Sequence, residues 1–420
     1  MRGSTRDRRP YVKPVQKLEV SEKNTRLRFI LMIVFLVIGA AALGIFVSQL
    51  LGKDSGWREI ETDVPGISEE IIFNYDLGSG GMGASAEYRL IAALYSETAS
   101  KLYQLFDRYA EYDGINNLYT INQHPNEVLV VDEMLYDALK MMTEQGGRYL
   151  YLAPVYAEYN GIFTCENDTH AARRDPNKDE NTLAYFSEIT RMLNDPEMIE
   201  LELLGDGKVC LHVAETYLEW ARINAIDCLI DFAWLKNAFI VDAIAQTMID
   251  AGYTLGNVTS FDGFGRNLDP TGRIYSYNVF DRFGNGIYSA ATFKYEKPTA
   301  IVFMRNYPMS TELDRYRYYS YADGDIATGY LDPADGCYRS ALHNVTSYST
   351  ERGCAEIALA LAPIYIAQAF DEQALNALVE QDIYSLWGMD GVLYYNEQYV
   401  SLDLLYSDTT VTYRKEYAGK

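Results

Sequence analysis

The feature that most constrains this chain is a run of 23 residues without a charge, "FILMIVFLVIGAAALGIFVSQLL" from Phe29 to Leu51. At about 1.5 Å per residue, a helix of that length crosses the hydrocarbon core of a bilayer. Ala40, Ala41 and Ala42 would suit signal cleavage, but the basic leader is long and apolarity resumes through Leu43, Ile45, Phe46 and Val47. The run therefore reads as an uncleaved anchor. Arg26 and Arg28 before it and Asp54 after it put the amino terminus in the cytoplasm. The expected organisation is a basic cytoplasmic tail (1–28), a transmembrane helix (29–51), a stalk (52–66), an extracytoplasmic domain (67–400) and a C-terminal strand and tail (401–420). The protein is expected to be single-pass in the cell membrane.

Charge divides along the same line. Met1 to Arg28 holds nine Lys or Arg against Asp7, Glu19 and Glu22, a net of +6; the whole chain carries −23, which leaves −29 for the remainder. So acidic a domain repels a phosphate backbone, and nucleic acid is excluded as a partner. A partner is sought instead in the membrane, through 29–51, and in another membrane or extracytoplasmic protein.

Nothing in the cysteines or histidines forms a metal motif. The five cysteines (Cys165, Cys210, Cys228, Cys337, Cys354) contain no CxxC pair, and the four histidines no HExxH. An oxidising exterior would permit a Cys337 to Cys354 bridge, and the odd count leaves at least one thiol over.

Periodicity predicts mixed elements. Leu90, Leu94, Leu102 and Phe106 give Ser85 to Tyr112 one apolar face at helical spacing. "EVLVVDEMLYDALKMMTEQGG" reads as a strand, then a helix from Asp132 that stops at Gly146 and Gly147. "NTLAYFSEITRMLND" is helical and "KVCLHV" a strand; "RIYSYNVFD", "AIVFMR" and "DRYRYYSYADG" read as strands, "TERGCAEIALALAPIYIAQAF" as a buried helix, and "GVLYYNEQYVSLDLLYS" as terminal strands. No regular βαβ rhythm links them, so the fold class is α+β. The 36 tyrosines fit cross-strand aromatic packing, or an aromatic platform for a sugar or flavin.

Two stretches invite a ligand reading. "GSGGMGAS", Gly78 to Ser85, places glycines ahead of a helix, as a phosphate-gripping loop does, but lacks both the GKS or GKT ending and GxGxxG spacing. "DFAWLKNAFIVDAIAQTMIDAGY", Asp231 to Tyr253, has Ile240, Ile244 and Met248 at i, i+4 beside Val241, Ala245 and Ile249, with Gly252 as a stop. That pattern makes a helix for packing alone.

Taken in order, these pieces resemble the ApbE-type flavin transferases. Met82, Gly83 and Ala84 stand where that family has MGT, and Asn122 ends "NNLYTIN" where it has SEISRLN. "GGRYLYL" keeps the glycines of GGAFDPT, and Pro154 and Gly161 match a later GPL and WGF. Asp231 and Asp242 occupy the acidic positions of DLGGIAKGYAVD, but Ala233 and Trp234 replace two glycines, Asn237 the lysine and Ala238 the last glycine. Asp262 and Gly263 stand for the glycine pair of GGDI, with Phe264 in its acidic place. Asp332, Pro333 and Gly336 match HIIDPxTG, with Gly329 at the histidine. Glu356 and Ala360 stand for the Asp and Thr of ADALSTA.

The resemblance implies an ApbE-like α+β fold on a single transmembrane helix, over roughly residues 70 to 400. It also implies FAD and Mg2+ as cofactors and transfer of FMN to a Ser or Thr of a target protein. The candidate ligand-facing residues are Met82, Gly83, Asn122, Asp231, Trp234, Asp242, Asp262, Gly263 and Asp332, with Glu356 at the metal; no catalytic residue is assigned. The substitutions point away from that chemistry. Mg2+ demands near-octahedral oxygen ligands, which Ala360 cannot supply and the longer Glu356 supplies less well. Trp234 adds bulk where backbone met ligand, and Gly329 offers no base. A non-catalytic binding or scaffold homologue is therefore expected, with an active FAD:protein FMN transferase and an extracytoplasmic ligand-binding module as alternatives.

Overall fold

The structure is a computed structural model that describes residues 55–284, 286–310, 312–405 and 411–419. The anchor expected over 29–51, its basic leader and the first residues of the stalk lie outside the described residues. Among the described helices none is long and apolar enough to cross a membrane.

Nine strands form the main sheet, and their order across it is their order along the chain: Gly56–Glu59, Ile71–Leu77, Gly256–Ser260, Phe264–Asn267, Thr299–Arg305, Asn344–Ser349, Tyr384–Met389, Val392–Tyr395 and Arg414–Tyr417. All neighbours are antiparallel except the last pair, where Arg414–Tyr417 runs parallel to Val392–Tyr395. The first strand lies inside the segment read as stalk, and the last inside the segment read as a C-terminal strand and tail. The folded body thus begins before residue 67 and ends after residue 400.

The apolar run "AIVFMR" shows why the sheet sits in the middle. Thr299–Arg305 is buried at every position; Val302 and Met304 join the core beneath the helices, while Ile301 joins a second core on the opposite face. A strand buried on both faces loses the alternation of a half-exposed one.

One face is covered by helices. Ala84–Leu105 and Lys236–Asp250 pack on each other, and Cys354–Tyr365 packs on the latter. Lys236–Asp250 buries Ile240, Val241, Ile244, Ala245 and Met248, each large side chain giving about 1.5–3 kcal/mol. It stops at Gly252, in the left-handed region at φ 81°, with Tyr253 N–H donating to Met248 O at 2.8 Å. The other face carries the sheet of Tyr275–Phe283, Gly286–Tyr295 and Ser401–Leu404, which packs Val279, Ala291, Phe293 and Leu402 against Tyr348, Leu386 and Leu393. A third sheet, Val128–Val130 with Lys208–Val213 and Ile199–Gly205, and a two-stranded one, Tyr318–Ser320 with Ile326–Thr328, complete the α+β body.

The expected elements are largely present, with three changes. The long helix ends at Leu105. "NNLYTIN" forms a separate helix, Leu118–Gln123, capped by Asn117. Of "DRYRYYSYADG" the strand keeps Tyr318–Ser320, the residues before it being turns.

Candidate functional site

A cleft of about 570 Å³ opens where the end of the Ala84–Leu105 helix, the loop before Lys236–Asp250 and the 316–330 segment meet. Its walls are aromatic (Tyr103, Phe106, Tyr156, Trp234, Tyr318, Tyr330) and its charges are mixed: Glu70, Asp107, Arg108, Asp231, Lys236, Asp262 and Arg317.

Asp231 reaches the cleft because Asn122 holds the chain just before it. Buried Asn122 accepts from Leu229 N–H (2.8 Å) and Ile230 N–H (2.9 Å) and donates to Ile230 O (3.1 Å). Asp231 N–H then donates to Leu150 O, and its carboxylate accepts from Arg108 Nη1 at 2.8 Å. Both side chains of this pair are mostly buried, so the charges matter more to each other than on an open surface.

Next, Ala233 takes a positive φ of 49°, a conformation a glycine adopts without strain. Trp234 does not; its indole packs edge-to-face on Tyr330 at 5.2 Å and on Tyr149 at 6.3 Å. Of the two positions at which the resemblance puts glycines, one thus has a glycine's backbone, and the other is part of an aromatic wall.

Deeper in, Asn237 Nδ2 bridges Glu70 Oε2 (2.7 Å) and Asp262 Oδ2 (2.8 Å), while Arg317 Nη2 stands 3.6 and 3.7 Å from the same two oxygens. Asp262 also accepts from Ser260 Oγ. Gly263, behind it at φ 109°, lets the chain pass Phe303, whose carbonyl an added Cβ would overlap.

Of the residues singled out from sequence, Asp231, Ala233, Trp234, Asn237, Asp262 and Phe264 share the cleft, and Gly329 lines it with open space at its missing Cβ. The remaining candidate ligand-facing residues do not line it. Met82 is exposed, and Gly83 caps the Ala84–Leu105 helix. The glycine loop before that helix is filled from within, since buried Glu87 accepts from Gly78 N–H at 2.6 Å. Asp332 pairs with Arg339 at 2.5 Å.

Asp242 points into the fold rather than the cleft. It accepts from Cys354 N–H (2.9 Å) and Ala355 N–H (2.8 Å), the first amides of Cys354–Tyr365, and from Arg266 Nη1 at 3.0 Å. Burial pushes its carboxyl up from the ordinary value, against the pull of Arg266 and the two amides.

The position that the resemblance gives to the metal fares similarly. Glu356 accepts from Gly353 N–H at 3.0 Å, bonding back to its own helix start, and from Arg352 Nη1 at 3.1 Å. Ala360 brings no ligand atom, and among the described residues no group of three or more His, Cys, Asp or Glu is placed to hold an ion. The residues present do not fit Mg2+.

Sequence reading missed Glu70, Arg108, Arg317 and Tyr330. Arg108 meets Asp231 across 123 residues and Asn237 meets Glu70 across 167, and no local pattern encodes such pairings. All five cysteines are free thiols, so the permitted Cys337 to Cys354 bridge is not made. Burial pushes Cys228 and Cys337 up to about 12, away from the thiolate a nucleophile needs.

No protein-family model and no curated protein matches the chain. Solved structures do. The ApbE protein of Thermotoga maritima is similar at 14% identity and TM-score 0.54, over 79% of this chain and 94% of that one. A histidine-to-glycine mutant of the flavin transferase ApbE from Vibrio cholerae is similar at 10% identity and TM-score 0.50, over 83% and 97%. The apo flavinyl transferase ApbE of Pseudomonas stutzeri stands at 11% identity and TM-score 0.47, over 84% and 93%. Identities this low speak to architecture, and by architecture this chain is ApbE-like, a divergent version of that fold.

Proposed function

We propose that this chain is a membrane-anchored, extracytoplasmic ApbE-like protein that binds a partner or ligand and does not transfer flavin. In this reading residues 29–51 hold it in the cell membrane with the amino terminus in the cytoplasm, and the acidic domain faces a membrane or extracytoplasmic protein.

The observation that carries the reading is how Glu356 is used. Both its carboxylate oxygens serve its own helix start and Arg352, and Ala360 one turn on has no side-chain oxygen to add. Without a cation there, two phosphates would meet Glu70, Asp107, Asp231 and Asp262 in a domain of large negative charge, with Arg108 and Arg317 already facing those carboxylates and Lys236 left as the counter-charge lining the cleft. The aromatic cleft supports the ligand-binding form of the proposal, in which Trp234 and Tyr330 meet a planar guest.

The test is titration of FAD into the detergent-solubilised full chain, with and without Mg2+, followed by a search for FMN on a threonine-bearing acceptor protein. Mg2+-dependent binding followed by transfer overturns the proposal in favour of an active FAD:protein FMN transferase. Binding without transfer makes it a ligand-binding module, and no binding makes it a scaffold.

A further inference from the structure

On the face of the main sheet away from the cleft, the inward side of Tyr275–Phe283 carries an aspartate among apolar neighbours. Asp281 follows Val279 on that face and is 1% exposed. Its Oδ2 accepts from Tyr413 Oη at 2.8 Å, and its Oδ1 has no partner. Across from it lies Gly388, where any Cβ would collide with Oδ1, so the carboxyl abuts bare backbone.

The groups near Asp281 are mostly phenols. Tyr413 comes from the C-terminal segment, Tyr288 is the Cα partner of Asp281 on the neighbouring strand, and Tyr307, in the loop after Thr299–Arg305, lies close enough to feel its charge while donating its hydroxyl to Asn344 Oδ1 at 3.1 Å. Adjacent Arg282 offers its backbone amide, and no ion pair to Asp281 is formed among the described residues. A buried carboxylate with only neutral donors and no cation is costly, whereas the protonated acid is not.

Tyr413 opens the terminal segment. Itself buried, it leads into Arg414–Tyr417, an exposed edge strand held by Arg414 N–H to Gly391 O (3.2 Å), Ala418 N–H to Tyr395 O (2.8 Å) and Lys415 Nζ to Leu402 O (2.9 Å). The geometry points to an acid-held clasp: protonated Asp281 keeps Tyr413 and the edge strand after it docked, and its ionisation loosens that strand, baring Val392–Tyr395 as a new sheet edge.

Burial raises the Asp281 carboxyl from 3.8 to about 6, partly offset by the Tyr413 hydroxyl and the Arg282 amide. A folded value above the water value favours docking at low pH. Docking weakens as pH rises from about 4 through about 6 and is level above. Between about pH 4 and about pH 8 the opening equilibrium rises roughly fifty-fold if opening returns Asp281 to water.

Hydrogen exchange of the full chain, corrected for intrinsic rates, reads this directly. Protection of the Arg414 and Ala418 amides is expected to fall by that factor across the interval, while Asn344–Ser349 in the sheet centre stays level. Asp281→Asn, which keeps an acceptor for Tyr413 and cannot ionise, removes the pH dependence. Tyr413→Phe moves its midpoint upward, because the donor that favours the ionised form is gone; a purely steric role would change the extent of protection and leave the midpoint in place. Protection of the native chain that is flat with pH, or a pH dependence unchanged in Asp281→Asn, overturns the clasp.

Discussion

Asp231 and Asp242 close the two ends of one twelve-residue segment, and by spacing alone they are a matched pair. In the structure they face opposite ways. Asp231 lies in the cleft against Arg108, a partner the chain can hold or release without disturbing a helix. Asp242 is bonded to two helix-start amides and to Arg266, so it ties Lys236–Asp250 to Cys354–Tyr365. Retained aspartates at ligand-binding spacing can therefore be kept for unlike reasons. One belongs to a site, the other to the frame that carries it.

If that division is right, removing the two carboxylates has separable effects. Asp242→Ala is expected to cost about 3 kcal/mol, since it strips a cap and leaves Arg266 without its counter-charge in a mostly buried place. Urea unfolding of the described domain, 55–420, checks this; a loss below about 1 kcal/mol would remove Asp242 from the frame. Asn122→Ala is next, at about 2–3 kcal/mol, because the Leu229 and Ile230 amides would be buried without acceptors. It should also loosen Asp231, seen as faster hydrogen exchange over 228–231. Asp231→Asn is expected to cost about 1–2 kcal/mol, leaving Arg108 partly uncompensated, and to alter whatever binds the cleft more than it alters folding. Equal losses for Asp231 and Asp242 would erase the distinction.

Much of the frame was legible because it rests on local signals. The Ile240, Ile244, Met248 stripe and Gly252 stop, the Asp132 cap and the two-faced run "AIVFMR" all act through spacing a few residues long. The order of motifs along the chain likewise pointed to an ApbE-like α+β fold. The site was legible in part. Asp231, Trp234 and Asp262 do converge, but Asn122 works behind the cleft, and Asp242, Asp332 and Glu356 are paired elsewhere, because a side chain's direction depends on partners more than 100 residues away, on an arginine in the same turn as for Asp332, or on the start of its own helix as for Glu356. The clasp at Asp281 gave no signal at all. An aspartate within "RIYSYNVFD" looks like the end of a strand until Tyr413 and Gly388 are placed against it.

The smallest expected effect is the one that bears most directly on how the cleft diverged. Ala233 holds φ 49° beside Trp234, which is not in the left-handed region. A left-handed alanine costs about 1–2 kcal/mol in strain, and glycine in its place adds about 0.5–1 kcal/mol of unfolded-state freedom. Ala233→Gly is therefore expected to stabilise the domain by about 0.5 kcal/mol, read as a higher urea midpoint at unchanged slope. Trp234→Gly should do the reverse, losing the contacts to Tyr330 and Tyr149. Opposite signs at neighbouring positions would mean that the turn has kept a glycine's shape at Ala233 while Trp234 has built a new wall upon it. Like signs would mean that the loop as a whole has been remade, and that Asp231 reaches the cleft by a path of its own.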